Sequence, residues 1–124
     1  EPMNRFAASD ALARIGAIAV PELLVALRGD NDHVRADAAR SLTQIGEPAV
    51  PGLVESLRYD DMAVRRAASS ALMEMGDVAV PALERSLRNS ERRIAREVRQ
   101  ILQRIGTSRA MDAVSQWRQD QDDN

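Results

Sequence analysis

Asp60-Asp61-Met62-Ala63-Val64-Arg65-Arg66-Ala67-Ala68-Ser69-Ser70-Ala71-Leu72-Met73-Glu74-Met75-Gly76 is the stretch whose reading decides the fold. It recurs upstream as Asp30 to Gly46, downstream as Ser90 to Gly106, and as a half at Asn4 to Gly16. Gly16, Gly46, Gly76 and Gly106 are thirty residues apart, as are Leu12, Leu42, Leu72 and Leu102. Val34, Val64 and Ile94 keep the same step. So does a second phrase, Ala19-Val20-Pro21, Ala49-Val50-Pro51 and Ala79-Val80-Pro81, which leads to Leu27-Arg28, Leu57-Arg58 and Leu87-Arg88. A fixed period in this range marks a solenoid, in which each unit buries its apolar face only against its neighbours.

Each period reads as two helices. Residues 4–15 place Ala8, Ala11, Leu12 and Ile15 on one helical face, and Gly16 suits the left-handed residue that stops a helix. Pro21 fits a first helical turn, where its missing N–H costs nothing, and Val20, Leu23, Leu24 and Leu27 form the buried stripe of residues 19–28. The next helix spans Asp32 to Ile45. The pair returns at 49–58 with 61–75 and at 79–88 with 91–105, and a last helix covers 108–118. The expectation is all-α: an α-solenoid of about eight helices over residues 4–118, with a half-unit at each end. Residues 119–124 have no apolar side chain and are expected to be disordered.

Only Phe6, Tyr59 and Trp117 are aromatic, so the core must be built from Leu, Ile, Val, Met and Ala. The absence of cysteine excludes disulfides and thiolate metal sites. No run of about 18 apolar residues is present, so no membrane-spanning helix is expected. The opening Glu1-Pro2-Met3-Asn4 shows no apolar leader, and a cytoplasmic location is expected. The net charge of −2 hides an uneven distribution: residues 84–109 carry eight Arg against three acids.

The period and its phrasing resemble the HEAT-repeat family, in the short form of phycobilisome lyase-like repeats within the armadillo-type folds. The matching residues are the turn acids Asp30 and Asp60, Val34-Arg35, Val64-Arg65, the Ala-Ala-x-x-Leu-x-x-Ile-Gly run at 38–46, and the Ala-Val-Pro starts. The resemblance implies a right-handed superhelix whose second helices line a concave side. It also implies an Asp–Arg ladder in the turns, bracing one unit against the next. Ile94-Ala95-Arg96 departs from the pattern, its arginine displaced by one.

Taking Val34, Ala38, Ser41 and Ile45 as buried puts Ala36, Arg40, Thr43 and Glu47 on the opposite side. Their equivalents are Arg66, Ser70, Met73 and Asp77, then Arg96, Gln100, Gln103 and Thr107, with Phe6, Asp10 and Ala13 in the first helix. Under the resemblance, Phe6, Asp10, Arg40, Thr43, Arg66, Ser70, Met73, Arg96, Gln100 and Gln103 are the expected partner-binding residues, with Phe6 and Met73 as anchors. A merely solvated face is the alternative. Arg28, Arg58 and Arg88 fall at the ends of first helices, where cations complement the carbonyl end of the helix dipole.

Catalysis finds no constellation here. His33 is the only histidine, and one His without Cys offers neither a metal set nor a nucleophile–base relay. No catalytic residue, metal or cofactor is expected. The cluster Arg85, Arg88, Arg92, Arg93, Arg96, Arg99 and Arg104 contains no aromatic stacking residue, and the chain is acidic overall. An acidic protein surface therefore suits it better than nucleic acid. The expected function is a non-catalytic protein-interaction scaffold. The alternative from the resemblance is a phycobilin lyase-like or phycobilisome assembly or degradation factor, or part of one. At the ends, two readings stay open: cover by further chain, a second copy or a partner, or short faces tolerated in water.

Overall fold

A computed structural model describes the backbone of residues 5–123 and the side chains of residues 15–123. The helices are α1 (Arg5–Leu27), α2 (Asp32–Ile45), α3 (Val50–Ser56), α4 (Met62–Met75), α5 (Val80–Asn89), α6 (Arg92–Ile105) and α7 (Ser108–Asp122). Short 3-10 turns, Glu47–Ala49 and Gly76–Ala79, lead into α3 and α5. No strand occurs among the described residues. Successive first helices, α1, α3, α5 and α7, lie against one another in one layer, and α2, α4 and α6 stack in a second. Each second helix also packs on the first helix of its own unit, which makes the two-layer stack of a solenoid.

The thirty-residue step explains the core. Leu27 and Leu57 from the first layer meet Leu42, Leu72 and Leu102 from the second, all with no exposed surface. Ala38, Ala68, Ala49 and Ala79 are buried among them, and their small side chains let the helices approach closely. Two of the second helices start on side-chain caps: in α2 Asn31 Oδ1 accepts from Val34 N at 3.0 Å, and in α4 Asp61 Oδ1 accepts from Ala63 N at 2.9 Å. Glu91 leaves α6 without one. All three stop at Gly46, Gly76 and Gly106, whose φ values are +83°, +65° and +68°. The N–H of each glycine donates to the carbonyl of Leu42, Leu72 or Leu102, four residues back.

Three expectations change. First, residues 4–15 and 19–28 do not form two helices; α1 runs unbroken through Gly16 and Pro21, giving seven α-helices among the described residues. After Gly46 comes Glu47-Pro48, and after Gly76 comes Asp77-Val78, both winding into 3-10 turns; after Gly16, Ala17-Ile18-Ala19 continues as helix. Pro21 then costs α1 one internal hydrogen bond. Second, Val34 is 45% exposed whereas Val64 and Ile94 are buried. Their helices α4 and α6 each follow another second helix in the stack, whereas α2 is the first of its layer. Third, α7 reaches Asp122, so most of the 119–124 tail is helical. Gln116 donates to Asp120 one turn on at 3.1 Å, and Arg88 lies 3.6 Å from the same carboxylate, which together hold the last turns.

Candidate functional site

Between α4 and α6 the second-helix layer opens into a groove of about 510 Å³. Four expected residues meet there: Arg66, Ser70 and Met73 from α4 and Gln100 from α6. Met73 is half-buried and packs on the core, while Arg66, Ser70 and Gln100 are exposed. Met62, Arg65, Ser69, Glu97, Ile101 and Arg104 complete the walls. Helical periodicity named one file of residues per helix, but a groove between two helices also takes the flank of each. The signal that could have found them was the stacking of α4 on α6. Arg96 stands beside the groove, in a smaller hollow of about 210 Å³ with Arg65, Arg93, Glu97 and Gln100.

The remaining expected residues are not brought to the groove. Arg40 and Thr43 lie on α2; Arg40 faces Asp37 at 3.5 Å, and the Thr43 hydroxyl donates to the Ala39 carbonyl at 2.8 Å. Gln103 is exposed outside the groove lining. Phe6 and Asp10 lie outside the residues whose side chains are described.

Charge along the groove is one-sided. Arg65, Arg66 and Arg104, with Arg93 and Arg96 adjoining, face the single carboxylate of Glu97. Arg65 is held in place by the carbonyls of Tyr59 and Asp60, at 2.9 and 3.0 Å.

These bonds revise the expected Asp–Arg ladder. Arg65 binds main-chain oxygens and not the Asp60 carboxylate. Arg35, buried to 7% exposure, donates to the carbonyls of Leu27 and Gly29 and pairs with Asp32, not Asp30. Both arginines stay within their own unit, satisfying carbonyls left over where the preceding first helix ends. Bracing between units comes instead from Arg28, Arg58 and Arg88. Arg28 donates to Ser56 Oγ and to the Gly52 carbonyl at 3.0 and 3.1 Å; Arg58 reaches Ser90 Oγ at 3.3 Å; Arg88 reaches Asp120.

Residues 20–103, from the middle of α1 to the end of α6, match the family model of HEAT repeats. The chain belongs to the HEAT-repeat family. No curated protein matches it. HEAT repeats typically mediate protein–protein interaction, and both layers of this HEAT-repeat protein stack from unit to unit.

The opposite edge of this HEAT array has a wider hollow of about 850 Å³, at the starts of α3 and α5. There Glu47 and Asp77 offset Arg85 and Arg109, so it lacks the charge bias of the groove. His33 is exposed at the start of α2, and no group of three His, Asp or Glu side chains among the described residues could hold a metal. No described helix is long and apolar enough to cross a membrane.

Proposed function

We propose that this HEAT-repeat protein is a cytoplasmic, non-catalytic interaction module that binds an acidic protein segment in the concave groove between α4 and α6. The observation that carries the reading is the excess of arginine over Glu97 in a groove that also presents Met62 and Met73. Guanidinium groups pair with carboxylates bidentately, and methionine adapts to apolar side chains of varied shape. Arg66, Ser70, Met73, Arg96 and Gln100 contribute the contacts in this reading, with Arg65 and Arg104 beside them. No groove residue favours the bilin-handling alternative.

The test uses a labelled peptide of alternating glutamate and leucine, and the same peptide with lysine for glutamate. The acidic peptide should bind saturably and the basic one should not. Arg66→Glu combined with Met73→Ala should abolish binding while helicity stays unchanged, with only a modest fall in melting from the lost Met73 packing. The matched pair Arg85→Glu with Val78→Ala, on the opposite edge, should bind normally. Equal loss from both pairs would place the interface elsewhere.

A further inference from the structure

A separate pocket of about 450 Å³ lies between α6 and α7, at the end of α5. Its lining includes Arg88, Arg92, Arg96 and Arg99, with Trp117 beside them and no carboxylate. Arg88 is engaged by Glu84 at 3.7 Å and by Asp120 at 3.6 Å. Arg92, Arg96 and Arg99 have no ion-pair partner among the described residues. Arg99 stands 6.0 Å from the Trp117 ring centroid, and its Nε is enclosed without an acceptor. A guanidinium partly withdrawn from water with an unpaired N–H is costly unless an anion compensates it.

The first two units use their arginines differently. Arg35 and Arg65 direct their donors at carbonyls of the preceding turn. The equivalent residue in the third unit is Ala95, buried at 6% exposure in the pocket wall. The arginines at 92, 96 and 99 are therefore left over by the repeat's own architecture.

We propose that this pocket binds a phosphate monoester, with the phosphoryl group among Arg92, Arg96 and Arg99 and its organic part against Trp117 and Leu87. Three unpaired cations exceed the single charge of a carboxylate, whereas a phosphoryl dianion offers an acceptor oxygen to each. The indole and the Leu87 side chain wall the remaining volume, which suits an ester better than a free ion. The pocket shares Arg96 with the proposed groove contacts, whereas Arg92, Arg99 and Trp117 belong to it alone.

Trp117 is the only tryptophan, so its emission reports the pocket directly. The full chain is titrated with inorganic phosphate, glycerol phosphate and a phosphoserine peptide, with ionic strength held constant by chloride. Both esters should produce a saturating change at lower concentration than inorganic phosphate, and the tighter ester distinguishes a small metabolite from a protein-borne phosphate. Arg92→Gln, at an exposed position, and Arg99→Gln should each weaken the tighter ester by about tenfold or more, with circular dichroism unchanged for Arg92→Gln. Arg66→Glu, which touches the groove alone, should leave the titration as it was. Absence of saturation, an equal response to chloride, or full affinity in Arg92→Gln overturns the proposal.

Discussion

The guanidinium of Arg28 lies 4.7 Å from the centroid of the Tyr59 ring, which belongs to the following unit. The same side chain holds Ser56 Oγ and the Gly52 carbonyl, so one residue closes three contacts across a repeat boundary. Arg28→Ala should therefore cost about 2 kcal/mol, mostly through charge-assisted hydrogen bonds, with a smaller cation–π share. Arg58→Ala removes one exposed contact at 3.3 Å and a surface ion pair, and should cost less than about 1 kcal/mol. Urea denaturation of the two variants checks the order, and equal costs would deny Arg28 its bracing role.

Val34 and Val64 occupy the same place in the repeat with opposite burial. Val64→Ala should destabilise by about 1.5 kcal/mol or more, and Val34→Ala should stay within about 0.5 kcal/mol of the parent. Leu72→Ala, at a site with no exposed surface, should cost about 2–5 kcal/mol. A denaturation midpoint for Val34→Ala as low as that for Val64→Ala would mean that something covers α2 in solution.

Gly76 and Gly106 end equivalent helices in different conformations, φ 65°, ψ −131° and φ 68°, ψ 5°. Only glycine adopts the first readily, whereas asparagine tolerates the second. Gly76→Ala should cost about 1–3 kcal/mol although nothing stands within 4 Å of the added Cβ. Gly106→Asn should cost less than about 1 kcal/mol. Thermal melts compare them, and the reverse order would contradict the backbone assignment.

Thr107 Oγ accepts from Ala110 N at 3.2 Å, capping α7, and donates to Asp77 of the preceding unit. Thr107→Ala should cost about 0.5–2 kcal/mol, and Thr107→Ser should retain most of the stability. Comparable losses in both would show that the methyl group, not the hydroxyl, is what matters at that position.

The repeat itself was legible because burial and period coincide at Leu42, Leu72 and Leu102, and the Asp32–Ile45 helix agrees with its expected span. Gly16 was misleading because a glycine stops a helix only when the residues after it turn the chain away. Its local sequence matches the other stops, but Ala17-Ile18-Ala19 lacks their turn residues. Arg28 and Arg65 were legible as arginines near helix ends but not in their partners, since partners thirty residues away or on the main chain leave no local pattern. Part of the groove could be read, since Arg66, Ser70, Met73 and Gln100 follow from periodicity. Arg65, Glu97, Ile101 and Arg104 depend on how two helices lie side by side.

The polar links that run from unit to unit fall on the first-helix side: Arg28 to Ser56 and Gly52, Arg58 to Ser90, Asp77 to Thr107, and Arg88 to Asp120. α2, α4 and α6 meet through side chains such as Ala68, Ala71 and Leu72, whose contacts are apolar and non-directional. One edge of the array is therefore held in register by directional links, and the other by close-packed apolar surface. The groove between α4 and α6 opens on the side that lacks directional links. A partner seated there would stiffen the array as a whole, beyond the helices it touches.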